Sequence, residues 1–440
     1  MVKLIRQWAS KVKRTVLGDQ VVRRMPLWYN PALHMLDTLS VVSIEERRAF
    51  GEVRLRHILQ AAQKTAYGRQ CGGGLQLSTW PLLSKEQVRS HPEAFLTVPA
   101  WLTVPASTSG TTGTPLKLYR SFPSIAVEQA VLDWLWRAAG LDPRRVRYAV
   151  LRGENIKPPH ETAPPFWLVD LGGRRMVFSS NHLNAKTLPH FREALQRFQP
   201  ECLFAYPSCA ESLCRLLLSE GEPLHIPCCI TSSEQPSLHL ARLLQEALGA
   251  RWVDYYGQAE RVAFAYALQP GEYYFLPSYA IVELIPVAES GDDILYEIVG
   301  TSLWNRAMPL VRYRTGDLVR LPKSLGEREV EEICWGLRPF GGVEGRMGDY
   351  LLSPEGGVLM GIDHIPRDVD NVVRMQVIQE RPDLVRILVI PDKGFSEQNI
   401  AQIQHNVALK LPPSMQVTIE VVDELERTAQ NKTPFVIRRF

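Results

Sequence analysis

The 440-residue chain has no Cys-x-x-Cys pair, no long run of Lys or Arg, no internal repeat and no low-complexity tract. It also has no apolar stretch approaching the roughly 18 residues a membrane span needs. Each absence removes a class of protein. The seven cysteines (Cys71, Cys202, Cys209, Cys214, Cys228, Cys229, Cys334) are odd in number and irregularly spaced. A disulfide framework is therefore not expected, and reduced thiols in a cytoplasmic protein fit better. Without a Cys-x-x-Cys pair a zinc ribbon or finger is not expected either. Lys and Arg total 50 against 47 Asp and Glu, a formal net charge of +3, which argues against nucleic acid as the main partner. The N-terminal "MVKLIRQWASKVKRTVLG" lacks the apolar core of a secretory signal. It is basic and amphipathic, with Leu4, Trp8 and Val12 on one helical face. Packing on the body of the protein is the expected role; contact with an anionic membrane is the alternative. The chain is expected to act as a monomer or homodimer.

What remains is an ordinary globular composition, 45% hydrophobic and 22% charged. At roughly 100–200 residues per domain, two or three domains are expected. Residues 1–100 read as mostly helical, with Ser43 as a helix N-cap before "IEERRAFGEVRLRHILQAA". From Leu116, short apolar runs alternate with helical ones: "RYAVLRG", "LPHFREALQRFQP", "CLFAYPS", "AESLCRLLLSEG", "PCCITSSE", "PSLHLARLLQEALG", "RWVDYYG". Such alternation predicts right-handed crossovers and a largely parallel sheet. Ligands on such sheets bind beyond the carboxyl ends of the strands, where "YPS", "TSSE" and "YYGQAE" fall. Residues 273–320 read as antiparallel strands, and "KSLGEREVEEICWGLRPFGG" as a polar loop. The expected fold is α/β. A large N-terminal domain (1–347) has mostly parallel sheet, flanking helices and antiparallel elements. A small mobile α+β domain (348–440) follows as a lid.

The segment "TSGTTGTPLKLYR" packs hydroxyls and glycines ahead of a strand-like run. Glycine lets a backbone approach a ligand closely, and successive N–H groups in a tight turn make an anion cradle. Neither a Walker A loop nor G-x-G-x-x-G is present, so a plain surface loop stays open as a reading of this segment alone. Four further segments follow in order. "YYGQAE" ends in Glu260, a carboxylate past a strand that can hold Mg²⁺ on phosphate oxygens or simply mark a helix N-cap. "RYRTGDLV" carries Asp317 after a glycine, either to accept ribose hydroxyls or as a plain hairpin turn. "GRMGDYL" offers Arg346 beside Gly348. "RTAQNKTPF" offers Lys432, which alone would read as a solvated terminal charge.

Together, "TSGTTGTP … YGQAE … RYRTGD … GRMGD … RTAQNK" resembles the adenylate-forming superfamily of acyl- and aryl-CoA ligases. The segments "YGQAERVAFA" and "TSLWNRAMPLVRYRTGD" are similar to the phenylacetate–CoA ligase branch and its capsule-biosynthesis relatives. The resemblance runs from about Leu39 to Phe440. It implies that a carboxylic acid, expected to be aromatic, attacks the ATP α-phosphate to give acyl-AMP and pyrophosphate, after which a thiol of CoA or a carrier displaces AMP. It further implies that Ser109, Gly110, Thr111, Thr112 and Gly113 cradle the β- and γ-phosphates. Glu260 would coordinate Mg²⁺. Tyr256 and Gly257 would lie along the adenine or substrate, and Asp317 would hold the ribose with Arg346. Lys432 would bridge the carboxylate and α-phosphate. Tyr206, Ser208, Ala263 and Phe264 would flank the acyl pocket, with core packing as the alternative.

The sequence departs from the family pattern in four places. Ala259 replaces the usual Thr or Ser before the metal carboxylate. Gly348 stands at the hinge and Asn431 before the lysine. Cys334 is the lone remnant of a cysteine-rich element, so metal binding there is not expected. Nothing identifies a CoA site, so an amine or hydroxyl acceptor stays open. A silent nucleotide-binding scaffold is a third reading, against which the joint presence of Glu260, Asp317 and Lys432 argues.

Overall fold

The computed structural model describes residues 15–440 except 40–41, 108–115, 153–155, 158–160, 162, 237–238, 347–350, 353, 355–357, 360–361, 363–364, 367–368, 409 and 428–432. The segment 1–14, Ser109–Gly113, Gly348, Asn431 and Lys432 thus lie outside the described residues.

The described N-terminal part is helical, as the sequence predicts, with helices Pro26–Leu39 and Ile44–Ala62. Ser43 caps the second: its hydroxyl accepts from the Glu46 N–H at 3.3 Å, and the Glu46 carboxylate accepts from the Ser43 N–H at 3.1 Å. Strands β1 (Val104–Ser107) and β2 (Lys117–Arg120) form an antiparallel pair in which Ser107 faces Lys117. The Gly/Thr segment therefore joins the two arms of a β-ribbon.

The main sheet has eight strands. In chain order they are β3 (Tyr148–Leu151), β4 (Trp167–Asp170), β5 (Arg175–Phe178), β6 (Cys202–Ala205), β7 (Cys228–Ser232), β8 (Arg251–Gly257), β9 (Phe264–Ala267) and β10 (Tyr273–Phe275). The spatial order is β10-β9-β8-β7-β6-β3-β5-β4. Its centre, β5-β3-β6-β7-β8, is parallel, and β4, β9 and β10 run antiparallel at the edges. The crossovers are amphipathic helices. Leu240–Leu248 buries Leu240, Leu243, Leu244, Ala247 and Leu248, one stripe of a 3.6-residue period. It stops at Gly249, whose φ of 61° suits a residue without Cβ. Helices Leu188–Phe198, Pro207–Glu220 and Leu240–Leu248 cover one face of the sheet. Pro26–Leu39 and Phe122–Ala138 cover the other.

A second, antiparallel sheet follows in the order β11 (Ala280–Ser290), β12 (Asp293–Ser302), β13 (Tyr313–Pro322), β14 (Val343–Arg346). The segment read as a polar loop contains a helix instead, Glu327–Cys334, whose Ile333 is fully buried. One fully buried residue in two turns, with Val330 packed beside it, is enough to seat a short helix and too little to signal one. After the small pair β15 (Leu351–Leu352) and β16 (Val358–Leu359), the C-terminal domain builds a four-stranded mixed sheet. Its order is β19 (Gln416–Val421), β18 (Leu384–Pro391), β17 (Val372–Arg381), β20 (Val436–Arg438), with helix Glu397–Ala408. It has its own core around Val377, Ile387 and Ile403. The whole is a large α/β sheet domain followed by a smaller α+β domain. All seven cysteines are unpaired, and among the described residues no helix is long and apolar enough to cross a membrane.

Candidate active site

The carboxyl ends of the parallel strands gather the polar groups. Strand β8 runs into the turn Gln258–Arg261, closed by the Arg261 N–H donating to the Gln258 carbonyl at 3.1 Å. Arg261 has φ of 58°, a conformation that L-residues adopt at a cost. Its guanidinium supports the turn by donating to the Ser124 carbonyl at 3.0 Å and pairing with Glu128 at 3.2 Å. Glu260 within this turn is 8% exposed. Strand β9 follows, so Glu260 does not begin a helix.

Asp317 is not in a plain hairpin turn, the alternative reading of its segment. It lies inside β13, where Gly316 with φ of 73° and a bulge opposite Glu297 kink the strand. Asp317 is 5% exposed and is the register partner of Arg346 in β14. The two carboxylates are held by tyrosines from each other's segment. Tyr256 donates to Asp317 Oδ2 at 2.6 Å, and Tyr313 donates to Glu260 Oε1 at 2.9 Å. The arrangement thus brings Tyr256, Gly257, Glu260, Asp317 and the backbone of Arg346 into one seam between the two sheets. Gly257 has room: an added Cβ would meet Phe264 at an ordinary 3.6 Å.

Tyr206 and Ser208 stand at the start of helix Pro207–Glu220, directly after β6. Ala263 and Phe264 are fully buried, and Phe264 stacks on Tyr255 at 5.5 Å. Both pack in cores, and Phe264 backs the Tyr255 ring. A cavity of about 220 Å³ opens elsewhere, among Leu36, Trp134, Tyr266 and Tyr274. It contains none of the motif residues that carry carboxylates, so the chemistry is sought at the sheet end.

Residues 351–439 match the family model described as the CapK C-terminal domain. Over 363 residues the chain is 22% identical to the protein CapK of Staphylococcus aureus, across 81% of this chain and 79% of that protein. It is 23% identical over 382 residues to the phenylacetate-coenzyme A ligase of Pseudomonas putida, across 79% of this chain and 80% of that one. Among solved structures it is similar to 2-hydroxyisobutyryl-CoA ligase in the postadenylation state in complex with 2-HIB-AMP. That likeness has a TM-score of 0.61 at 17% identity, over 91% of this chain and 90% of the other. Over about four fifths of its length the chain is thus similar to CapK and to phenylacetate-coenzyme A ligase, its residues 351–439 match the CapK C-terminal domain, and its fold is that of the 2-hydroxyisobutyryl-CoA ligase structure.

Several residues that tie the motifs together were not singled out from sequence. Arg120, the last residue of the Gly/Thr motif, donates to the Ala259 carbonyl at 2.9 Å. Burial pushes its guanidinium down to about 10, Arg261 adds to this, and Glu128, Tyr279 and Glu260 oppose it. Asn305 grips β2 from both sides of Arg120, donating to the Tyr119 carbonyl at 2.8 Å and accepting from the Ser121 N–H at 3.0 Å. Arg152 reaches from β3 to Ser232 and Ser233 at 2.9 Å each. No local pattern marks these three; each acts across more than eighty positions or at a strand end the alternation alone does not populate.

Among the described residues no group of three His, Cys, Asp or Glu could cage a metal. A site for Mg²⁺ needs no such cage, because that ion keeps several waters and takes one or two carboxylates plus phosphate oxygens. A buried Glu260, oriented by Tyr313 through one oxygen, fits that requirement.

Proposed function

We propose that the protein activates a carboxylic acid with ATP, forming acyl-AMP and releasing pyrophosphate, and then passes the acyl group to a thiol of CoA or a carrier. The observation that carries this reading is the crossed pair Tyr256–Asp317 and Tyr313–Glu260, which buries one carboxylate of each motif in a common seam. Asp317 would accept the ribose hydroxyls, with Arg346 beside it in register. Glu260 would hold Mg²⁺, which when bound offsets charge on the phosphates. Ser109, Gly110, Thr111, Thr112 and Gly113 would wrap the β- and γ-phosphates, and the β1–β2 ribbon anchors both ends of that segment. Tyr256 and Gly257 would flank the adenine. Lys432 would swing in on residues 348–440, acting as a lid, and bridge the acid's carboxylate and the α-phosphate. Its charge lowers the cost of bringing two anions together, and the remaining chemistry is positioning. Solved structures of similar fold hold acyl-AMP compounds, 2-HIB-AMP among them, which supports the adenylate as intermediate. The phenylacetate-coenzyme A ligase likeness and the aromatic row beneath the sheet end support an aromatic acid.

The test is acid-dependent pyrophosphate release with benzoate, hydroxybenzoate, aminobenzoate, phenylacetate and fatty acids, with and without CoA, against Lys432→Ala. Release confined to aryl acids and lowered about 10²–10³-fold in the variant is the expected result. Release that survives the substitution unchanged would remove Lys432 from the mechanism. Acyl-AMP that forms but resists CoA would point to an amine or hydroxyl acceptor.

A further inference from the structure

The edge of the sheet beside the seam is more polar than a slot for a bare ring requires. Arg152, directly after β3, lays its guanidinium 4.2 Å over the Phe204 ring and 4.9 Å over the Tyr206 ring. Its donors go to the neutral hydroxyls of Ser232 and Ser233 and, at 3.5 Å, of Tyr255. Ser233 takes φ of 74° at this point, a strained geometry for a residue with a side chain. Two residues after Tyr206, the Ser208 N–H donates to Glu234 Oε2 at 3.0 Å, while Glu234 Oε1 is buried with no hydrogen-bond partner. The Tyr206 hydroxyl sits in the fields of both charges: burial raises its pKa, Arg152 opposes this and Glu234 adds to it. Yet Arg152 and Glu234 make no ion pair among the described residues, although a buried carboxylate oxygen without a donor is costly.

We propose that Arg152, Tyr206 and Glu234 read a hydroxyl group on the acid, so that the preferred substrate is a hydroxylated aryl acid. A hydroxyl oxygen accepts from Arg152, and its hydrogen donates to the orphan Glu234 Oε1. A second carboxylate on the substrate would meet Glu234, and an ammonium would meet Arg152; a neutral group that both donates and accepts suits the pair. An unsubstituted ring leaves Oε1 buried without a donor, which is the penalty by which a polar site rejects the wrong ligand. The flat wall for the ring is Phe204 and Tyr255, stacked at 6.5 Å and 12°. This assignment rests on the reading that the sheet edge holds the acid.

The experiment compares 3- and 4-hydroxybenzoate with benzoate in the full-length protein and in the variants Arg152→Met and Glu234→Gln, folding being checked by thermal melting. Two readouts are taken: kcat/KM for pyrophosphate release, and binding of each acid by calorimetry without ATP. One hydroxylated isomer should be favoured over benzoate by about tenfold or more in the wild type. The ratio should fall toward one in Arg152→Met and by several-fold in Glu234→Gln, whose amide still serves the Ser208 N–H. No preference in either assay, or a preference untouched in both folded variants, would overturn the assignment. A hydroxyl preference seen in binding while no acid releases pyrophosphate would support the assignment and remove adenylation instead.

Discussion

Tyr256 and Asp317, sixty-one positions apart in the chain, meet at 2.6 Å across the junction of the two sheets. Four residues after Tyr256 comes Glu260, and four residues before Asp317 comes Tyr313, and these also meet, at 2.9 Å. The two segments are laced in opposite directions: β8 orients the carboxylate on β13, and β13 orients the carboxylate after β8. Each tyrosine hydroxyl donates to one oxygen of a buried carboxylate and so fixes its orientation.

Replacing Tyr313 with Phe removes the donor to Glu260 and leaves a buried carboxylate oxygen unserved. The expected cost is about 1–3 kcal/mol of stability, with a higher Mg²⁺ concentration needed for half-maximal pyrophosphate release. Thermal melts and a Mg²⁺ titration check this. A variant with a normal melt and an unchanged Mg²⁺ requirement would show that Glu260 does not depend on Tyr313.

Gly300 on β12 lies against the loop behind Glu260. A Cβ there would come within 2.1 Å of the Val262 carbonyl oxygen. Backbone cannot step aside as a side chain can, so Gly300→Ala should destabilise by about 1–3 kcal/mol and lower pyrophosphate release through the displaced turn. Full activity in this variant would mean that the turn tolerates movement.

Asp133 is the hub of a buried network. It accepts from Arg24 at 2.6 and 2.8 Å, from Tyr29 at 2.6 Å and from Gln129 at 2.8 Å. Asp133→Ala leaves the buried Arg24 guanidinium to Asp19 and removes the acceptor of Tyr29, so denaturant unfolding should show a loss of about 1–3 kcal/mol. A loss below about 1 kcal/mol, the scale of an exposed pair, would mean that Arg24 finds water.

Asp254 is buried between Thr231 and Tyr273, both of which donate to it, and burial pushes its carboxyl up to about 7. In the unfolded chain it titrates near 4. The folded state therefore holds the extra proton between about pH 4 and 7, and stability falls as pH rises through that window. Asp254→Asn should flatten this part of the melting-temperature profile. A profile of unchanged slope would assign the pH dependence to other groups.

Much of the architecture was legible because its signals are local. Ser43 and Glu46 are three residues apart, Gly221 and Gly249 directly follow the helices they end, and the leucine stripe of Leu240–Leu248 lies within nine residues. The helix Glu327–Cys334 escaped because a single buried isoleucine anchors it. Asp317 was placed in a turn because a glycine before a carboxylate reads that way; only pairing with β12 and β14 shows it to be a bulged strand position.

The sequence by itself determined the order of strands and helices, the order of the motifs, and which residue types stand at the carboxyl ends of the strands. Periodicity, caps and motif order are written in neighbouring residues, and neighbours need no partner to be recognised. The tertiary structure alone decided that Tyr256 serves Asp317 and Tyr313 serves Glu260. It alone showed that Asn305 and Arg120 bind the first motif to the others, and that Glu234 Oε1 is buried without a hydrogen-bond partner. Those contacts join positions that only the crossing of the two sheets brings within hydrogen-bond distance.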